Sequence, residues 1–265
     1  MVQEIQNYLP GSHPWQNQIH WLASTDSTNL VVRKMAQEGA PHGTVVIADH
    51  QTAGRGRLGR SFMSPKGVGI YMSILLRPHC KPTELMHLTC LTAVAVCDAI
   101  ERVTSVRPGI KWINDLVYNK KKLAGILTEL SVDANSGLVD FAIVGIGINC
   151  LQRAEDFADE IKDIACSLYT ISGKEYVRSQ LIAETISAMS QLCSDLTHPK
   201  DVMKRYAENC ITLGTDICLI RGDELRYGHA LGLDETGGLI VQFRNGVTET
   251  ISSGEVSVRG MYGYQ

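Results

Sequence analysis

The sequence predicts an α+β protein in two parts, a mixed-sheet domain over residues 1–213 and a small β-barrel over 214–265. Three observations carry this expectation. Between Trp21 and Cys210, strand-like and helix-like stretches intermix, the pattern of helices laid on one mixed sheet. After Gly214 the texture changes to short strands, DICLI, ELRYGHALGL, GLIVQF and TETIS, divided by Gly222-Asp223, Gly237-Gly238 and Asn245-Gly246. The composition, 44% apolar and 20% charged over 265 residues, is that of a folded globular chain and not of a disordered or fibrous one.

The elements follow in chain order. Residues 44–48, 70–76, 123–130 and 141–148 are rich in Val, Ile, Leu and Tyr and read as strands. A helix over 29–38 stops at Gly39, which accepts the left-handed conformation that closes a helix. A second, over 83–103, follows Pro82 with Thr83 as cap, Glu84 in the first turn and a long apolar stripe. Residues 175–196 and 199–209 form two more amphipathic helices. The terminal barrel is close to the smallest unit that folds unaided, so it is expected to pack on the main domain.

Charge narrows the partners. With 25 basic and 28 acidic residues the chain carries a formal −3 and a pI near 6.2, so no general field draws in nucleic acid or anionic lipid. A bound anion must be held by a local cluster. No apolar run approaches the ~18 residues of a membrane span, and the start MVQEIQNYLPGS lacks the order of a secretory signal, so the cytoplasm is the expected location. The eight cysteines are scattered without a C-x-x-C, which predicts reduced core residues and no zinc site.

Four segments concentrate chemistry. His50-Gln51-Thr52-Ala53-Gly54-Arg55-Gly56-Arg57-Leu58-Gly59-Arg60 alternates glycine, which lets backbone close over a ligand, with arginine, whose fork fits carboxylate or phosphate oxygens. It is an anion-binding lid, or else a solvated basic loop touching RNA phosphates. Ser24 to Asn29 puts hydroxyls and free N–H groups at a helix start, as a plain cap or as a ligand cradle. Lys111-Trp112-Ile113-Asn114-Asp115 offers a lysine as a point charge, or a strand lysine in water, and Lys120, Lys121 and Lys122 form a solvated turn. Gly145-Ile146-Gly147-Ile148-Asn149 allows close approach to a planar ligand and leaves an amide able to read an adenine edge, without the third glycine of a dinucleotide fingerprint.

In this order the segments resemble the biotin–protein ligases, through their S-T-N, Q-T-x-G-R-G-R-x-G-R, K-W-P-N-D, K-L-A-G-I-L and G-x-G-x-N signatures, and Ser253 to Ser257 is similar to the family's terminal segment. The resemblance spans about Trp21 to Arg259. It implies a catalytic domain of the biotin/lipoate ligase type with an SH3-like barrel, and a reaction that attaches biotin, with ATP and Mg²⁺, to a lysine of a carrier domain through biotinyl-5′-AMP. It implies that Ser27, Thr28, Asn29 and Gln51 line the biotin pocket, and that Arg55, Gly56 and Arg57 close over biotin and its adenylate. Lys111 is implied near the reacting groups, Gly125 as part of the pocket wall, and Asn149 on the adenine side.

Two positions depart from the family pattern. Ile113 stands where it has proline, and Phe62 where it has tryptophan, which keeps a ring beside the nucleotide but loses the indole N–H. About 20 residues precede the S-T-N motif, so the expectation is a ligase without a DNA-binding domain. Pairing of two copies through the central sheet, with 70–76 as an edge, is a further expectation. Arg221, Arg226 and Arg259 are expected near phosphates. A lipoate ligase or octanoyl transferase of the same fold is the alternative enzyme, and a non-catalytic biotin or nucleotide sensor the alternative of another class.

Overall fold

The computed structural model describes residues 1–194, 196, 199–252 and 257–260. The elements, in chain order, are α1 (Val2–Tyr8), β1 (Ile19–Leu22), α2 (Thr28–Gln37), β2 (Val45–Ala48), β3 (Gly69–Leu76), α3 (Leu88–Thr104), β4 (Gly109–Lys111), β5 (Asp115–Tyr118), β6 (Lys121–Val132), β7 (Val139–Asn149), α4 (Leu168–Ser172), α5 (Arg178–Ser194) and α6 (Lys200–Asn209). The terminal region adds β8 (Asp216–Arg221), β9 (Glu224–Leu233), β10 (Leu239–Phe243), β11 (Thr248–Ile251) and β12 (Ser257–Gly260). Strands β1 to β7 form one sheet in the order β1-β2-β3-β7-β6-β5-β4, and β8 to β12 an antiparallel sheet in the order β11-β10-β9-β8-β12. Only β1 and β2 pair parallel in the large sheet, which makes it mixed.

The period-2 alternation of the strands divides the large sheet into two faces. Ile70, Met72, Ile74 and Leu76 of β3, with Ala142, Val144, Ile146 and Ile148 of β7, join the main core beneath α3 and α5. The alternate residues face the other way, where Leu75, Phe141 and Ile143 pack with Val32 and Ala36 of α2. On that second face α2 packs against β2, β3 and β7. Beyond its N-terminus the same rows continue as Ser73, Gly145 and Leu127, then Tyr71, Gly147 and Gly125, paired across β3, β7 and β6. Glycine replaces bulk in the middle of the sheet, and a cavity opens there.

Helix α3 and the 3₁₀ turn before it, Pro82–Thr104, are long and apolar enough to cross a membrane, unlike the sequence-based expectation that nothing in the chain approaches that length. Most of this stretch is buried, and α3 packs between α5 and α6, the placement of a core helix. A second correction concerns 70–76. Strand β3 lies between β2 and β7, so it has no free edge for pairing with another copy; the edges of the sheet are β1 and β4. The terminal sheet shares the main core through Ile217, Leu219, Ala230, Leu239, Val241, Phe243 and Ile251. Its β9–β10 turn is fastened to the large sheet where the buried Trp112 indole N–H donates to the Gly237 carbonyl at 2.9 Å.

Candidate active site

Two adjoining cavities lie on the glycine-floored face. The first, about 270 Å³, is bounded by Ser27 to Asn29, Gln51, the lid residues Arg55 to Leu58 and Arg60 to Phe62, and the β6 and β7 glycines. The second, about 300 Å³, holds Asn149 and Gln152 and is roofed by 156–165. Phe62, Lys122, Ser61, Ile161 and Ile164 border both.

The polar end of the first cavity is built at the start of α2. Ser27, Thr28 and Asn29 are all buried, and the Ser27 hydroxyl makes no capping hydrogen bond to the helix. Capping falls instead to neighbours: Asp26 Oδ1 accepts from the Ser27 N–H at 2.7 Å, and Gln51 Oε1 from the Thr28 N–H at 2.8 Å. Gln51 is held by isolated bridges to Thr25 and Ser64, which tie the end of β2 to both the α2 start and the lid. Glycines make the fit: a Cβ on Gly145 would meet the Asn29 side chain, and one on Gly147 would come within 2.6 Å of the Phe62 ring.

The lid is a hairpin. Phe62 N–H donates to the Gly54 carbonyl at 2.9 Å, Gly56 N–H to the Arg60 carbonyl at 2.7 Å, and Arg55 bridges Ser61. Its tip turns through Leu58 and Gly59 at φ 55° and 73°, and the left-handed Leu58 costs about 1–2 kcal/mol.

The opposite end is cationic. Arg57 Nη1 donates to Asn114 Oδ1 at 3.0 Å, and Asn114 is locked to β6 by Nδ2 donating to the Ile126 carbonyl at 3.0 Å. Burial lowers the Arg57 guanidinium from the ordinary arginine value, with Asp115 opposing that shift; it stays charged at neutral pH. Lys122 Nζ donates to Asp115 Oδ1 at 2.7 Å and stands 5.9 Å from the Phe62 ring centroid. Lys122 therefore sits at the junction of the two cavities.

Ser27, Thr28, Asn29, Gln51, Arg55, Gly56, Arg57, Phe62 and Gly125 thus come together around the first cavity, and Asn149 lines the second. Lys111 does not join them: it is buried on the outermost strand β4, with β5 between it and β6, and lines neither cavity. The lysine that the cavities share is Lys122, which sequence reasoning assigned to a solvated turn together with Lys120 and Lys121. One signal was available: Lys122 directly precedes the apolar run Leu123-Ala124-Gly125-Ile126-Leu127, as the first residue of a buried strand does. Asn114 and Asp115 were likewise not assigned. Asn149 is not a bare reader of bases either, since its Nδ2 donates to the Cys166 carbonyl at 3.0 Å and its Oδ1 accepts from Gln152 Nε2 at 3.2 Å.

Arg226 lies away from both cavities, bidentate on Glu249 at 2.9 and 2.6 Å and stacked 3.6 Å over Phe243. Residues 253–256 of the terminal segment and the Arg259 side chain lie outside the described residues. The thiols of Cys150 and Cys166, near Asn149, are pushed up by burial to about 12 and about 11, so neither is a thiolate nucleophile near neutral pH.

Comparison with known proteins agrees with this geometry. The profile of the Biotin/lipoate A/B protein ligase family matches residues 21–149, and that of the Biotin protein ligase C terminal domain matches residues 212–259. The bifunctional ligase/repressor BirA of Bacillus spizizenii is 38% identical over 229 residues, covering 86% of this chain and 70% of that protein. The biotin-(acetyl-CoA-carboxylase) ligase of Mycobacterium tuberculosis is 28% identical, covering 95% of this chain and 93% of that one. The structure of the biotin protein ligase from Aquifex aeolicus in complex with biotin and ATP superimposes with a TM-score of 0.77 at 34% identity, over 92% of this chain and 99% of that one. By sequence, by fold and by the residues gathered around the paired cavities, the chain belongs to the biotin protein ligase family.

Proposed function

We propose that the protein attaches biotin to a lysine of a biotin carboxyl carrier domain of a biotin-dependent carboxylase, in two steps that use ATP. One observation carries the reading: Lys122 stands between a cavity with a neutral polar end and a second cavity beside Phe62 and Asn149, and Arg57 lines the first of them. A ligand with a neutral ureido ring and a carboxylate tail fits the first cavity in one direction, its ring at Thr28 and Gln51 and its carboxylate at the cations. The nucleotide occupies the second cavity, with its α-phosphate at the same cations.

In the first step a carboxylate oxygen of biotin attacks the α-phosphorus, the P–O bond to the β-phosphate breaks, and pyrophosphate leaves. Two anions must meet, and their repulsion of about 1 kcal/mol per charge pair at 4 Å in water grows several-fold as the site dries. Arg57 and Lys122 offset it, and Lys122 rather than Lys111 takes the role because it borders both cavities. In the second step the unprotonated carrier amine attacks the acyl carbon, the bond to AMP breaks with its electron pair on AMP, and the amine proton passes to solvent. The lid, with Arg55 and Gly56, keeps water from the mixed anhydride in between.

Among the described residues no cluster of three His, Cys, Asp or Glu could cage a metal. Asp115 of the first cavity, with Asp156 and Glu160 of the second, fits a magnesium ion carried mainly on phosphate oxygens, which would screen the charge of the leaving pyrophosphate. We propose that the protein works away from DNA, since a net charge of −3 gives no general attraction to polyanions.

The test is mass spectrometry of a carrier domain incubated with the protein, ATP and biotin. The expected product carries one biotinyl group on one lysine; an unmodified carrier, or one modified only when lipoate replaces biotin, contradicts the reading.

A further inference from the structure

Behind the polar end of the first cavity runs a chain of side-chain hydrogen bonds that begins at the surface of α2. Arg33 Nη2 donates to Glu129 Oε1 at 3.0 Å, and Asn29 Nδ2 donates to Glu129 Oε2 at 2.7 Å. Ser73 Oγ lies 2.6 Å from Asn29 Oδ1 and 2.7 Å from Thr28 Oγ1, which in turn lies 3.1 Å from Gln51 Oε1. Gln51 Nε2 donates to Ser64 Oγ at 2.9 Å, and Ser64 Oγ to the Phe62 carbonyl at 3.0 Å. Asn29, Ser73 and Thr28 are buried, so these groups answer to one another and not to water.

Each hydroxyl has one proton, which gives the chain a direction. An ionised carboxylate only accepts, so Asn29 must turn its amide NH₂ to Glu129 and its carbonyl oxygen to Ser73. Ser73 commits its proton to that oxygen, and the Thr28 hydroxyl then donates to Ser73. Gln51 Oε1 is left with the Thr28 backbone N–H at 2.8 Å and keeps a lone pair for a donor in the cavity. An amide at position 129 lets Asn29 turn over. Its NH₂ would then face Ser73, both hydroxyls would donate toward Gln51, and the lone pair would be taken.

We propose that Glu129 is a positioning residue, whose charge orders the protons from Asn29 through Ser73 and Thr28 so that Gln51 Oε1 accepts a ureido N–H of biotin. The proposal rests on the assignment of the ring to this end of the cavity. Arg33 pairs with Glu129 from the surface and is not part of the proton order.

Calorimetric titration of biotin and, separately, of ATP into the full chain tests it. Glu129→Gln is expected to raise the biotin Kd about tenfold, the scale of one hydrogen bond, with the ATP Kd unchanged. Glu129→Asp, which keeps the charge, and Arg33→Met, which keeps the carboxylate, stay within threefold of wild type. Ser73→Ala cuts the relay, so Glu129→Gln added to it changes the biotin Kd less than twofold. Wild-type affinity in Glu129→Gln, an equal loss in both backgrounds, or a tenfold loss in Arg33→Met overturns the proposal, and the Arg33→Met arm decides the matter if Glu129→Gln does not fold. A wild-type protein that binds no biotin would instead overturn the assignment of the cavity.

Discussion

Replacing Lys122 by methionine keeps the length and apolar stem of the side chain and removes one positive charge from the junction. Two consequences follow from the geometry. Asp115, 2.7 Å from Lys122 and 15% exposed, loses an ion-pair partner in a half-dry site, leaving it to Arg57 and Asn114. The adenylyl group of the proposed first step loses one of two cations. A charge pair at about 4 Å in an effective dielectric of 20 is worth about 4 kcal/mol, and part of that acts equally on bound substrates and on the transition state. What remains resembles the loss of one preorganised donor, about 2.7–4 kcal/mol or 10²–10³ in rate. Biotinyl-adenylate formation in single-turnover quench experiments should therefore fall 10²- to 10³-fold, with the fold retained by circular dichroism. Lys111→Met is the control. It should cost stability, since the residue is 6% exposed, and at least tenfold less in rate than Lys122→Met. A Lys122→Met protein within threefold of wild type, or the reverse ranking of the two lysines, would refute the argument.

Three further outcomes are expected. Gly147→Ala drives a methyl into the Phe62 ring, so it should weaken biotin and ATP binding together and destabilise by about 1–3 kcal/mol in urea titrations. Trp112→Phe leaves the Gly237 carbonyl without its indole donor, which should cost about 1–3 kcal/mol and a Tm drop of about 2–4 °C per kcal/mol; an unchanged Tm contradicts the fastening role. His13 and His42 stack edge-on against Trp15, and burial lowers both imidazoles from their ordinary value. The unfolded chain then binds protons below about pH 6.5 more readily than the folded one, so Tm should hold above that pH and decline beneath it, with a flatter profile in His42→Gln.

The strands that sequence reasoning found are those whose composition was decisive. Residues 70–76 and 141–148 emerge as β3 and β7 because long, largely apolar runs buried on both faces admit little else. The short strands β1 and β5 carry four residues each, too few for a period-2 pattern to stand out. Where the two lysines lie depends on the assembled sheet. Lys111 stands alone in a largely apolar stretch and Lys122 ends a basic run, and what places them is the order β6-β5-β4, which puts Lys122 beside the glycine floor and Lys111 at the edge of the sheet. The edge assigned to 70–76 failed likewise, since strand order is a property of the assembled sheet. The lid, the α2 start and the glycine strand were legible because each holds residue types, Arg among Gly, hydroxyls at a helix start, and Gly-x-Gly, whose use is mainly local.

The proposed first step requires a biotin carboxylate and an ATP α-phosphate to meet at Lys122 and Arg57. Pyrophosphate release, followed with ATP and either biotin or lipoate and before any carrier is added, tests it most directly. One pyrophosphate per site is expected when biotin is present, and none above background with lipoate. Release driven by lipoate, or release independent of either acid, would contradict it.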